Sequence, residues 1–337
     1  MSTTGSITVS NYSQSKAGTK GAFHHIIGAV VVEIADDKKF HMRQISADAD
    51  GSFYEVAGGA IAKYSPTDIT GNHKLAAITV GDTHYPFIDQ KAVDATLDQI
   101  ERFKPADTFL HDIVDIWAVN HHERQNRFLN TAKYSHGVMN VEKEVDGSID
   151  LIAKFVKAYP KGTTHIVPSN HNDVLTKWLH SEKLDNLGVN AEYFHYLSWR
   201  MHQSAKSTPT GFSFIDAYVY SANEKIQYKY PEFAKKVNWL KRDVPYMVKD
   251  IEMASHGDVG ASGARGSALG FTKIGVKANI GHSHSPQVIE GIYQVGVTSL
   301  IPLGYAKGAS GWLHTNCFVY ENGKRTLINM IDGEYCI

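Results

Sequence analysis

The chain has 337 residues, 42% of them apolar, with 34 Lys plus Arg against 35 Asp plus Glu and a formal charge of −1; this allows one large domain with an appendage and excludes the strongly basic surface of many nucleic-acid binders, so any contact with DNA needs a local patch. Two cysteines, Cys317 and Cys336, are too few for a disulfide framework or a cysteine metal site and fit a reducing compartment. There is no apolar run of about 18 residues for a membrane helix, and Met1-Ser2-Thr3-Thr4-Gly5 lacks the charged lead of a secretory signal, so a cytoplasmic protein with no membrane partner is expected.

Residues 1–20 are rich in Ser, Thr, Gly and Lys and read as a loose arm. From His24 to about Tyr64 the pattern is strand-like. Ile26–Ile34 is Val-rich, Asp36–Lys39 and Asp48–Gly51 are turns, and Phe40–Ile45 and Phe53–Val56 are further strands. Residues 1–70 are therefore expected to form an arm and a small antiparallel meander. Three strands are marginal alone, so the meander packs either on the main domain or on another subunit, which would make a homo-oligomer.

From residue 71 onward strands alternate with helices. Strands are expected at Leu75–Val80, Asp107–Leu110 and Thr163–Val167, and helices at Gln90–Phe103, Ile149–Tyr159, Asp173–Leu184 and Asn190–Ser204. Strand signals then dominate, at Phe212–Tyr220, Ile274–Ile280 and Gly291–Val297. A hairpin spans Trp312–Met330 around the turn Asn322-Gly323. The fold class is α/β. The length and turn signals leave open whether the chain is part of a longer polypeptide.

Short Asp/His/Asn signatures punctuate this pattern: Asp82-Thr83-His84, Asp112-Ile113-Val114-Asp115, Asn170-His171, His256-Gly257-Asp258 and Gly281-His282-Ser283-His284. Most fall just past the carboxyl end of an expected strand, where α/β sheets gather ligands. Asp82 with His84, and His282 with His284, stand at i and i+2, so in extended chain each pair shares a face. Asp112 has two oxygens and can bridge two ions, and Asn170 offers a neutral carbonyl. Imidazoles mixed with carboxylates suit Mn²⁺, Fe or Zn²⁺ better than Ca²⁺ or Mg²⁺. Two divalent ions, Mn²⁺ first among them, are the expected cofactors of a phosphoester hydrolase.

In kind and order the signatures resemble those of the calcineurin-like metallophosphoesterase family, from about Lys74 to Pro286. The resemblance implies a four-layer α/β/β/α sandwich. It implies one ion on Asp82, His84, Asp112 and His284, and a second on Asp112, Asn170, His256 and His282. His171 matches the histidine that stays off the metals and serves the leaving oxygen, and Asp115 the carboxylate that orients it.

The chain also departs from the family pattern. His111 stands where the family usually has glycine before the shared aspartate, which implies a different local packing or an extra polar group at the site, and Ser169 replaces another glycine. Asn172-Asp173, rather than an immediate acidic residue, follows the Asn-His pair. Ile116 stands where the family's Ser/Thr phosphatases carry a phosphate-binding arginine, which argues against a protein phosphatase.

The spacing, His111 and the segment Ala254-Ser255-His256-Gly257-Asp258 are similar, more narrowly, to the pre-early host-DNA-degrading proteins of T5-like bacteriophages. That implies a DNase with DNA as partner, acting in the host cytoplasm. A small-molecule phosphatase or phosphodiesterase and a non-catalytic binding scaffold are the alternatives. Arg265, in a glycine-rich stretch, and His122 are candidate substrate contacts. The aromatic group Tyr193, Phe194, Tyr196 and Trp199 reads as helical core or interface ahead of a base-stacking surface, and the Lys235-Lys236 and Lys241-Arg242 pairs as a solvated helix face ahead of a local DNA patch.

Overall fold

The structure, a computed structural model, describes residues 4–120, 123, 126–181, 183–184, 187–207, 216–304 and 308–335. The expected loose arm holds a helix, α1 (Lys16–His24), started by Ser15, whose hydroxyl accepts the Gly18 N–H. Strands β1 (Gly28–Ile34) and β2 (Phe40–Ser46) form a hairpin in register Val31↔Arg43. A second antiparallel sheet follows: β3 (Phe53–Ala57), β4 (Ala60–Tyr64) and β5 (Ile69–His73).

The expected single meander is thus two separate sheets with five strands between them. Gly58 and Gly59, at φ +56° and +74°, supply the positive φ angles that a two-residue hairpin loop needs. Buried Arg43 ties the two sheets together. It bonds Glu33 on β1 at 2.9 Å, the carbonyl of Val56 on β3 at 3.1 Å, and the Glu55 carboxylate. Tyr54, Val56 and Ile61 sink into the main core, and Tyr54 stacks on Tyr320 at 5.6 Å. These strands therefore pack on the rest of the same chain.

Next come β6 (Ala77–Thr79), α2 (Gln90–Phe103) and β7 (Asp107–Leu110), then α3 (Arg127–Ser135) and α4 (Val141–Ala158). α4 starts eight residues before its expected position. Gly147 weakens the helical signal, but its missing side chain makes room for the Tyr85 hydroxyl, which a Cβ would meet at 2.1 Å. Asn140 caps the true start by accepting the Lys143 N–H.

β8 (Thr163–Ile166), α5 (Asn172–Ser181), α6 (Ala191–Ser207), α7 (Ala217–Lys229), α8 (Pro231–Ala234) and β9 (Val237–Trp239) complete the helical half. The strand expected at Phe212–Tyr220 is corrected: residues 217–220 lie in α7, and 208–215 are outside the described residues. Aromatic and β-branched side chains gave the strand signal. The Asp216 cap, which accepts from Tyr218 and Val219 N–H, and the buried face of Ala217, Tyr218, Ala222 and Ile226 favour the helix instead.

Then β10 (Met247–Val248), β11 (Ile251–Glu252), α9 (Ala268–Phe271), β12 (Lys277–Ile280), β13 (Gln287–Ile289) and β14 (Ile292–Gln294) precede the terminal β15 (His314–Val319), β16 (Arg325–Ile331) and β17 (Glu334–Tyr335).

The result is mixed α/β. One sheet runs β17-β16-β15-β6-β7-β8-β9, with β6 to β9 parallel; the other runs β10-β11-β12-β14-β13. The period-2 alternation of strands explains how they pack. Ile78, Leu110, Ile166 and Phe318 point into a core shared with α2, α4 and α7. Their neighbours Ala77, Phe109, Val167 and Val319 meet Ile251 of the second sheet and Met253 and Ala254 just beyond β11. Asn279 of β12 reaches Thr79 of β6 at 2.9 Å. On the far side of the second sheet, Ala268 and Phe271 of α9 cover Ala278, Ile280 and Ile292. Among the described residues no helix is long and apolar enough to cross a membrane.

Candidate metal centre

The signature loops continue the parallel ladders past the strand ends. Thr83, His84 and Tyr85 N–H groups bond the carbonyls of His111, Asp112 and Ile113, at 3.2, 2.7 and 3.2 Å. The loop after β6 is thereby locked beside the loop after β7. Asp82 N–H bonds Gly296 O, and Thr298 N–H bonds Asp82 O, so the chain leaving β14 in the second sheet joins the same edge. Gly281 N–H bonds His256 O at 2.7 Å, aligning the loops after β12 and β11. Asp112, His84, His282 and His284 take φ of +41°, +53°, +75° and +62°. Each is an unfavourable backbone state of about 1–3 kcal/mol, of the kind that clusters at functional sites.

Side chains of Asp82, His84, Asp112 and His284 converge, with one ligand atom of each within 4.8 Å of the others. His84 Nε2 lies 3.0 Å from His284 Nε2, and His284 Nε2 3.3 Å from Asp82 Oδ2. His84 donates its Nδ1–H to Asp115 Oδ1 at 3.2 Å, which leaves the Nε2 lone pair facing the cluster. Asp82 Oδ2 accepts the His282 N–H at 2.7 Å.

On the other side of Asp112, His256 Nε2 lies 3.0 Å from its Oδ2, and His282 Nδ1 lies 3.1 Å from Asn170 Oδ1. The His256 and His282 rings stand edge to face at 5.4 Å. Asp82, His84, Asp112 and His284 thus form one close group, while of the second expected set His256 reaches Asp112 and His282 reaches Asn170. His111, expected to mean a different local packing or an extra polar group at the site, joins a further close group with Asp82 and His256.

These residues fit divalent cations. Asp82 and Asp112 are 0% and 1% exposed. Asp82 Oδ1, both Asp112 oxygens and His256 Nε2 make no hydrogen bond. Buried carboxylates in proteins are paired or coordinate metals. Among the protein groups alone, burial would raise the Asp112 pKa, but the imidazoles of His256, His171 and His84 outweigh it and hold it well below the carboxylate range. Asp82 is lowered likewise, by His256 and His284 against burial.

Next to this cluster, His171 Nδ1 bonds Asp115 Oδ1 at 2.8 Å, and the His84 ring stands edge-on to the His171 ring at 4.6 Å. Burial disfavours the charged imidazole, but Asp112 and Asp115 overcome it and raise the His171 pKa to about 10. Neither His171 nor Asp115 is within the group around Asp82 and His284.

Gly281 is a packing requirement of this site. A Cβ there would stand 2.2 Å from Asp82 Oδ1, and that carboxylate is pinned by His282 N–H. Gly281→Ala is expected to lower stability by about 1–3 kcal/mol through overpacking and to displace Asp82. Metal affinity measured by calorimetry should fall with it; unchanged affinity would show that Asp82 has room to yield.

Arg265 is exposed, on a loop that folds back so that residue 265 pairs with Val259, and Gly266 N–H bonds Asp258 O. His122 lies outside the described residues. Tyr193 and Phe194 are buried in the core, while Tyr196 and Trp199 are exposed.

Sequence reasoning missed Arg242, read as part of a solvated face. It is an ion-paired strut, bonding Asp173 at 3.1 Å and Asp258 at 3.0 Å. Those carboxylates stand two residues after His171 and two after His256, so one guanidinium ties together two loops of the site. It also missed Trp312, whose ring meets His284 edge-on at 4.4 Å, and the Phe87–Trp117 pair at 4.9 Å near His84. No spacing in the sequence links these aromatics to the signatures.

No protein-family model matches the chain. Over 99% of its length the chain is 30% identical to a protein of Escherichia phage T5, called Protein A1. The chain spans 59% of the length of that relative.

Proposed function

We propose that this chain is a two-metal phosphodiester hydrolase with the calcineurin-like metallophosphoesterase fold, and that its substrate is DNA. The observation that carries the reading is Asp112, a buried carboxylate without a hydrogen bond, set between the His84–His284–Asp82 group and His256. Asp82, His84, Asp112 and His284 would hold one ion, and Asp112, Asn170, His256 and His282 the other. The donor set favours Mn²⁺, with Fe or Zn²⁺ as relatives in chemistry. When bound, such ions supply a nucleophile activated at neutral pH and neutralise the phosphoryl oxygens.

The chain's own residues do the remaining work. Asp115 takes the Nδ1–H of His171, fixing the ring so that Nε2 carries the proton meant for the leaving oxygen. Buried Ile116 stands where an arginine clamp for a phosphomonoester would be, which supports a diester. The order of the signatures supports a nuclease, and the phage relative fits a protein that acts in an infected cell, where host DNA is the proposed substrate. The partly exposed rings of Trp312 and Phe87 beside the centre offer apolar surface for bases.

The chemistry is tested with bis-p-nitrophenyl phosphate and p-nitrophenyl phosphate in Mn²⁺. The diester should be cleaved in preference to the monoester, and EDTA should stop it. Preference for the monoester would make the protein a small-molecule phosphatase. Two bound ions with no hydrolysis of either would make it a binding scaffold.

The pH profile tests the acid. Asp115 favours the charged form of His171, so Asp115→Asn lowers the His171 pKa and the proton is lost at lower pH. The alkaline limb of kcat/KM is expected to move down by about one to three pH units. A limb that stays in place would remove Asp115 from this role.

A further inference from the structure

An imidazole that ligates a metal is held by a partner on its other ring nitrogen, and that partner sets tautomer and aim. For His84 the partner is Asp115. For His256 it is another imidazole: His111 Nδ1 lies 3.2 Å from His256 Nδ1. The opposite edge of the His256 ring presents Nε2 to Asp112 Oδ2 at 3.0 Å. The two rings are tilted by 30° with centroids 5.4 Å apart. At that separation they meet edge to edge, with one N–H aimed at the other's lone pair, rather than stacking.

Two Nδ1 atoms at this distance share a single proton. If His256 Nε2 turns a lone pair to a cation, His256 must carry its proton on Nδ1. His111 Nδ1 is then the acceptor, and His111 carries its own proton on Nε2. That Nε2 is fully buried and makes no hydrogen bond. A buried donor without a partner is costly, so filling space does not account for a histidine here. The acceptor at Nδ1 does.

We infer that His111 is a positioning residue: its Nδ1 accepts the Nδ1–H of His256, fixes that tautomer, and aims His256 Nε2 at the ion shared through Asp112. This rests on the two-metal reading above.

The test measures Mn²⁺ binding to the metal-stripped full chain by calorimetry and by the electron paramagnetic resonance of free Mn²⁺, without DNA. Two variants are compared. His111→Phe keeps a ring and removes the acceptor; His111→Asn places a carboxamide oxygen near the Nδ1 position. His111→Phe should weaken one ion by about 10- to 100-fold and leave the other, while His111→Asn restores most of the affinity. Imidazole ¹⁵N shifts should show His256 protonated at Nδ1 in the wild type and in His111→Asn, and that preference lost in His111→Phe.

Wild-type affinity for both ions in His111→Phe would overturn the inference. So would His111→Asn binding as weakly as His111→Phe, because His111 would then act as a ligand in its own right. If His111→Phe does not fold, the His111→Asn affinity and tautomer decide alone. Fewer than two ions on the wild-type chain would bring down the two-metal reading itself, and that outcome is visible without any variant.

Discussion

Asp112→Asn is expected to strip both ions at Mn²⁺ concentrations that saturate the wild type, and to reduce phosphodiester hydrolysis to background. The substitution is nearly isosteric and replaces a charged oxygen by a neutral amide at a residue that faces both ligand groups. Asp112 Oδ2 lies 3.0 Å from His256 Nε2 on one side and 3.7 Å from His84 Nε2 on the other. Loss of a single ligand from one ion would leave the second ion in place; loss of the shared one weakens both. Bound metal counted by elemental analysis, with circular dichroism to show an intact fold, checks it. A variant that retains two tightly held ions would contradict the bridging assignment.

His171→Ala is expected to separate chemistry from metal binding. The residue bonds Asp115 and is partly exposed, with its side chain 17% accessible, in contrast to buried Asp82, His84, Asp112 and His256. Removing a positioned general acid costs about 10²- to 10⁴-fold in turnover. The metal content of the variant should equal that of the wild type. The loss should be smaller for a substrate with a good leaving group such as p-nitrophenolate, which needs less protonation, than for a DNA 3′ or 5′ oxygen. Loss of metal in this variant would move His171 from acid to ligand.

Much of the site was legible in the chain because α/β topology collects loops at one sheet edge. β7, β8 and β12 deliver Asp112, Asn170 and His282 within a few residues of their carboxyl ends, and β6 delivers Asp82. The route that brings His256 there was not legible. β11 has two residues, too few for a periodic signal, and its place comes from parallel pairing of Glu252 with Ala278. The N-terminal strands divided differently because register there depends on Arg43, a buried cation whose partners on β1 and β3 no local pattern announces. Arg242 and His111 show the same limit. Their residue types were visible, but their roles depend on which groups face them across the fold.

Nuclease activity is tested most directly by cleavage of linear and circular duplex DNA in Mn²⁺, with EDTA-treated protein and His171→Ala as controls. Cleavage is expected to require both the metal and His171, and attack on the circular substrate would show that the chain cuts internally. Intact DNA under conditions in which bis-p-nitrophenyl phosphate is hydrolysed would contradict the nuclease reading and leave a competent centre whose substrate is a smaller phosphodiester.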